Sequence, residues 1–175
     1  MGVKNVTDYE KLYQRDPKVC GDPFPEFVEF FERYCGSQLS VLDLGCGQGR
    51  DSLMVARKGH RVVGVDQSRT GVEQMCQAAS REGIPVIGVV ADLLGYLPDK
   101  LFNVVILDRT LHMFRGLADR MRVLAMSADC VAPNGHLLIA DEPSNKQHFD
   151  AFFTSRGDSW HVHVSNKNFT FAQRQ

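Results

Sequence analysis

The chain has 175 residues, enough for one domain, and its 43% hydrophobic and 23% charged content matches globular domains and excludes disordered or fibrous ones. With 20 Lys and Arg against 21 Asp and Glu, the formal net charge of -1 gives no bulk pull toward nucleic acid or an anionic membrane. Five cysteines, none spaced Cys-x-x-Cys, and a start without a signal-like apolar run lead to the expectation of a reducing, cytoplasmic compartment and no membrane span.

The N-terminal 39 residues read as a helical segment. Met1 to Asp22 is a candidate cover, with Tyr9, Tyr13 and Arg15 as closing side chains. Beyond Pro23-Phe24-Pro25, the stretch Glu26 to Tyr34 carries Phe27, Phe30 and Phe31 at helical spacing, a stripe suited to packing on a sheet. From Ser40 to the C-terminus the pattern changes to short β-branched runs alternating with amphipathic ones. Strands are expected at Ser40–Leu44, Arg61–Val65, Pro85–Val90, Leu101–Leu107 and Leu137–Ala140. Helices are expected at Asp51–Lys58, Ser68–Arg81, Leu117–Val131 (stopped by Pro133-Asn134-Gly135) and Lys146–Arg156.

Apolar runs without alternation are what strands buried on both faces look like, and strands alternating with helices imply right-handed crossovers. The last runs, Trp160–Val164 and Phe169–Ala172, are separated only by Ser165-Asn166-Lys167-Asn168, which suits a hairpin. The expectation is one compact α/β domain over 40–175: a doubly wound, Rossmann-like sheet of seven strands, mostly parallel, with an antiparallel strand near the C-terminal edge.

A glycine-rich turn, Asp43-Leu44-Gly45-Cys46-Gly47-Gln48-Gly49, follows the first strand, where backbone can approach a ligand closely. The dinucleotide fingerprint needs Gly-x-Gly-x-x-Gly, and here Arg50 stands at the third glycine position, which demotes a nicotinamide cofactor. Asp43, Asp66, Asp92 and Asp108 lie at or near the carboxyl ends of successive strands. One aspartate there is ordinarily a cap or turn residue; several in register point to a shared crevice. Their carboxylates suit a ligand carrying an ammonium, a sulfonium, ribose hydroxyls and an exocyclic amine, as S-adenosylmethionine does.

Val41 to Gly49, Val63-Gly64-Val65-Asp66-Gln67-Ser68, Ala91-Asp92-Leu93 and Asn103 to Asp108 resemble the successive motifs of class I S-adenosylmethionine-dependent methyltransferases. The Gly-Gln-Gly-Arg loop is similar to that of the small tellurite-resistance and thiopurine methyltransferase-like branch. The resemblance implies that Gly45, Gly47 and the Asp43 region hold the methionine part, with Cys46 and Arg50 in the same loop. It implies Asp66 on the ribose, Gln67 beside the adenine, Asp92 and the Leu93 amide on the adenine edge, and Asp108 near the sulfonium. The product would be S-adenosylhomocysteine.

Asp108-Arg109-Thr110-Leu111-His112 follows the fourth strand, where an acceptor would approach. His112 is a candidate base or orienter, Arg109 a clamp for an anion, and Asp108 a third catalytic candidate. Arg109 paired with Asp108 or Asp141, and His112 packing the next helix, are the structural alternatives. His161-x-His163 lacks an identifiable third ligand, so no metal is expected. The absence of an appended domain or basic stripe favours a small-molecule acceptor, without nucleic acid or membrane as partner. An oxidoreductase and a catalytically silent S-adenosylmethionine-binding module stay open.

Overall fold

Residues 8–16, 18–34 and 37–175 are described by a computed structural model. The apolar runs form β1 (Ser40–Leu44), β2 (Arg61–Asp66), β3 (Val86–Val90), β4 (Phe102–Asp108), β5 (Val131–Ala140), β6 (Trp160–Ser165) and β7 (Phe169–Arg174). They make one sheet in the order β3-β2-β1-β4-β5-β7-β6. The first five run parallel, and β7 lies antiparallel between β5 and β6. The expected doubly wound, mostly parallel sheet is therefore present. Because β2 and β4 flank β1, the chain leaves β1 toward one side and later returns on the other, opening a crevice at the carboxyl ends of β1 and β4.

The continuous apolar runs have a two-faced explanation. Side chains alternate across a strand, and both faces of this sheet are covered. Val41, Val104 and Ile106 pack with Phe27 and Phe31 of α2 (Pro25–Glu32) and Val55 of α3 (Arg50–Arg57). Their neighbours Leu42, Val105 and Leu107 pack on the opposite face with Leu124 of α5 (Leu117–Asp129) and Phe149 of α6 (Lys146–Ser155). The aromatic stripe of α2 is thus core. Pro25 starts that helix at a position where its missing N–H costs nothing. Ser68 caps α4 (Arg69–Glu82) by accepting from Gly71 N, and Gly83 ends it in the left-handed conformation.

Two expectations are corrected. The helix predicted to reach Val131 ends at Asp129, and β5 begins at Val131, six residues before the expected start. Pro133-Asn134-Gly135 lies inside β5 as an irregularity, where the register with β4 shifts between Phe102 and Val104 and Asn134 adopts φ 61°. A proline and a left-handed residue are tolerated in a strand at such a bulge. The candidate cover, for which no helix bounds are expected from sequence, contains α1 (Tyr9–Arg15), while Met1 to Thr7 lie outside the described residues.

A cluster of imidazoles sits where β5, β6 and α2 meet. His136 Nε2 lies 2.8 Å from Tyr34 Oη, its ring stands 5.4 Å from that of His163, and its Nδ1 is buried without a partner. Burial, then the neighbouring His163, pushes the His136 pKa down to about 4. The unfolded chain takes up that proton near pH ~6.5 and the folded chain only near pH 4. Stability is therefore full above the upper value and falls as pH drops through this window. Urea midpoints should decline as the buffer is taken from neutral pH to about pH 4.5, and less steeply in His136→Phe; identical slopes would remove His136 from the titration.

Candidate functional site

The turn after β1 is built from backbone conformations that glycine alone adopts cheaply. Gly45, Gly47 and Gly49 have φ of 81°, 50° and 83°. The amides of Gly45 and Cys46 both donate to the Val65 carbonyl, at 2.8 and 3.1 Å, tying the loop to β2. A Cβ at Gly45 would meet Thr110 Oγ1 at 2.3 Å, and one at Gly49 would meet Met75 Cγ at 2.3 Å. Thr110 holds its own place by donating to the Leu44 carbonyl at 2.9 Å.

Asp66 closes the loop from the side. One carboxylate oxygen accepts from the Gly47 amide at 2.9 Å and the other from the Ser68 amide at 2.8 Å. Burial raises its pKa while these amides oppose the rise. Cys46 contributes backbone only, since its side chain packs with Val72 and Met75, and burial pushes the thiol well above its ordinary range. A buried, protonated thiol is inert.

Under the loop lies a cluster of buried charges. Arg50, the first residue of α3, donates to Asp51 Oδ2 from Nε and Nη2 at 3.2 and 3.0 Å and to the Cys20 carbonyl from Nη1 at 3.0 Å, and it pairs with Asp108. Asp43 accepts from the Ser52 hydroxyl at 2.6 Å; burial, then the Asp51 carboxylate, raises its pKa far above the usual carboxylate range. Asp108 Oδ1 is buried with no partner. An unsatisfied carboxylate oxygen beside a glycine loop is a ready acceptor for an ammonium group, so these residues fit the methionine end of S-adenosylmethionine.

The N-terminal segment crosses this loop and is tied down at successive points. Glu10 of α1 accepts from the Ser68 and Thr70 hydroxyls, each at 2.5 Å, at the start of α4. Gln74 donates to the Tyr13 carbonyl at 3.0 Å, and Gln48 donates to the Asp16 carbonyl at 2.7 Å. Tyr13 Oη would stand 2.4 Å from a Cβ on Gly47. Phe24 lies near two guanidiniums, 4.9 Å from Arg109 and 5.4 Å from Arg50 to the ring centre. Glu10, Gln48, Gln74 and Thr110 were not singled out from sequence, because each acts on a partner more than twenty residues away and no local pattern marks it.

The remaining expected residues fall into two groups. The Ala91 amide donates to the Asp66 carbonyl at 3.0 Å, placing Asp92 and Leu93 beside the end of β2. Asp92 and Gln67 are exposed, Leu93 is buried, and Asp92 Oδ1 accepts from the Leu94 amide at 3.0 Å. Across the crevice, Arg109 has φ 51° and donates its amide to the Ala140 carbonyl at 2.8 Å. His112 Nδ1 lies 3.5 Å from Asp141 Oδ1, and Asp141 accepts from the His112 and Glu142 amides and from Asn145 Nδ2. Arg109 pairs with neither Asp108 nor Asp141; Arg50 has taken the former.

Residues 41–135, more than half of the chain, match a family described as Methyltransferase domain. The chain belongs to this family. This methyltransferase is 33% identical over 105 residues to a 2-heptyl-1-hydroxyquinolin-4(1H)-one methyltransferase of Mycobacteroides abscessus, covering 58% of its own length and 45% of the relative's. The chain thus spans less than half of that relative. Among solved structures it is similar to magnesium protoporphyrin IX methyltransferase from Synechocystis with bound S-adenosylmethionine (TM-score 0.70, 17% identity, 100% of this chain and 86% of that one). It is also similar to the N-methyltransferase NodS from Bradyrhizobium japonicum in complex with S-adenosylhomocysteine (TM-score 0.69, 14% identity, 96% and 98% covered). These structures share with the chain the fold of a seven-stranded, mostly parallel sheet. No helix among the described residues is long and apolar enough to cross a membrane.

Gly45→Ala in this methyltransferase combines a left-handed φ with a clash against Thr110. The strain is of order 1–3 kcal/mol, so both the thermal midpoint and S-adenosylmethionine affinity should fall. Gly59→Ala, at φ 93° but with open space around its Cβ, should lower the midpoint while leaving affinity intact. Equal affinities in the two variants would show that the loop does not form the cofactor cradle.

Proposed function

We propose that the methyltransferase transfers the methyl of S-adenosylmethionine in line to a small-molecule acceptor that enters beside the carboxyl end of β4. The observation that carries this is the pairing of two half-sites on one edge of the sheet. On one side stand the glycine loop, Asp66 and the orphaned Asp108 oxygen. On the other stand Arg109 and the His112–Asp141 pair. When bound, the cofactor supplies an electrophilic methyl on a sulfonium. Direct displacement there requires the nucleophile on the face opposite the leaving sulfur, so positioning and exclusion of water dominate the rate.

In this reading Gly45, Gly47 and the Asp43 region, together with Arg50 and Asp108, hold the methionine end. Asp66 takes the ribose hydroxyls, and Gln67, Asp92 and the Leu93 amide face the adenine. Tyr13, Phe24 and the rest of the tied-down N-terminal segment shield the donor from solvent. The small acceptor is supported by the relative from Mycobacteroides abscessus, whose named substrate is a hydroxyquinolinone, and by the chain's near-neutral charge. Placement in the tellurite-resistance and thiopurine methyltransferase-like branch rests on the Gly-Gln-Gly-Arg loop.

Asp66→Asn keeps the shape of the side chain and removes the charge that receives hydroxyl donors. Charge-assisted hydrogen bonds contribute roughly 1.5–3 kcal/mol, so S-adenosylmethionine affinity measured by calorimetry should fall at least about tenfold, and the thermal midpoint should fall as well, because Asn can accept only one of the two amides that Asp66 holds. Unchanged affinity would take Asp66 out of the site.

A further inference from the structure

The acceptor half-site contains a pair of groups that a methyl transfer to sulfur would not need. Asp141 is a carboxylate with no exposed side-chain surface, and His112 beside it is 20% exposed. Asp141 is fixed by the donors already named, the amides of His112 and Glu142 and the Asn145 amide group. Asn145 is in turn anchored by Arg120, which donates from Nη1 to Asn145 Oδ1 and from Nε to the Phe114 carbonyl, both at 2.8 Å. The buried ring nitrogen of His112, Nδ1, faces Asp141 and has no hydrogen-bond partner of its own. A proton on Nδ1, directed at the carboxylate, leaves Nε2 as the basic nitrogen for a ligand. Asp141 is the one carboxylate within ion-pair distance of the His112 ring among the described residues. The other charged residues next to this pair are Arg109 and Glu142, both exposed, and Arg120 behind Asn145.

Arg109 adds a second requirement. Its backbone is held in the left-handed region at the strand end, a conformation that costs a side-chain-bearing residue about 1 kcal/mol. Its guanidinium lies over the Phe24 ring, and among the described residues no carboxylate lies within ion-pair distance of it. A strained residue presenting an exposed, unpaired guanidinium beside an oriented imidazole is arranged to receive an anion.

We propose that the acceptor is a small anionic hydroxy compound, held through its anionic group by Arg109 and deprotonated at its hydroxyl by His112 under the direction of Asp141. This rests on the reading that the crevice methylates a small molecule. As the acceptor oxygen bonds to the donor methyl carbon, the carbon–sulfur bond breaks with its electron pair going to sulfur. The hydroxyl proton passes to His112 Nε2, and the imidazolium later returns it to solvent. Thiols ionise near neutral pH and need no such base. Protonated amines would carry their charge toward the Arg109 guanidinium, which has no carboxylate within ion-pair distance among the described residues.

The test uses protocatechuate, its neutral methyl ester, tyramine and thiosalicylate as acceptors, with calorimetry of S-adenosylmethionine run first. Protocatechuate should exceed the ester and tyramine in kcat/KM by at least about tenfold, one charge-assisted contact. Arg109→Asn, which tolerates the left-handed backbone, should erase that preference and weaken protocatechuate binding to the S-adenosylhomocysteine complex about tenfold. His112→Gln should lower kcat on protocatechuate by about 100-fold while changing thiosalicylate turnover far less. Equal loss on hydroxyl and thiol acceptors would mark His112 as structural and overturn the proposal. So would absence of transfer to protocatechuate by protein that binds S-adenosylmethionine. Failure to bind S-adenosylmethionine at all would instead strike the underlying assignment of the crevice.

Discussion

The Arg50 guanidinium bridges two carboxylates that have been almost completely removed from water: its side chain is 11% exposed, Asp51 5% and Asp108 2%. Removing one member of a buried ion network leaves uncompensated charge and costs about 3–5 kcal/mol. The consequences are geometric as well as energetic. Arg50 begins α3, Asp108 ends β4, and the Cys20 carbonyl that Arg50 also grips belongs to the N-terminal segment. One cation therefore ties the start of α3 to the end of β4 and fastens the N-terminal segment to both. It also consumes one oxygen of Asp108 and leaves the other for a ligand.

The glycine loop depends on that anchoring. Its left-handed glycines carry no side chains to hold them, so the conformation is imposed from outside. Val65 takes its amides, Thr110 packs behind Gly45, Met75 behind Gly49, and Asp66 receives the Gly47 amide. The supports come from β2 (Val65 and Asp66), the turn after β4 (Thr110) and α4 (Met75). A ligand that displaces the Gly47 amide from Asp66, or satisfies both together, acts on a group already held in place. That preorganisation is what an electrophile with a short useful lifetime in water requires.

The acceptor side follows a different rule. Strands β4 and β5 end together, with the Arg109 amide on the Ala140 carbonyl; of the residues that follow, Arg109 is exposed and Asp141 is buried. Asp141 stays buried because three donors, the His112 and Glu142 amides and Asn145 Nδ2, replace its hydration, and Arg120 anchors Asn145. Arg109, three residues before His112, is exposed and has no carboxylate within ion-pair distance among the described residues, whereas Arg50 is bridged between two carboxylates.

Sequence by itself determined the sheet. The runs at residues 41–44, 62–65 and 104–107 could only be strands buried on both faces, and the short Ser165–Asn168 connection could only reverse the chain. It also determined the loop and the Asp66 position, because glycine spacing and an acid after a strand are local signals. Tertiary structure decided what local signals cannot carry. The strand start at Val131 was hidden because a bulge, not a helix stop, absorbs Pro133-Asn134-Gly135. Arg50 stands in sequence as the residue that breaks the dinucleotide fingerprint, and only the approach of Asp108, 58 residues on, shows the ion pair it makes. Glu10, Gln48, Gln74 and Thr110 are ordinary polar residues in sequence. Their hydrogen bonds exist because the fold brings distant backbone to them, and burial then makes those bonds obligatory.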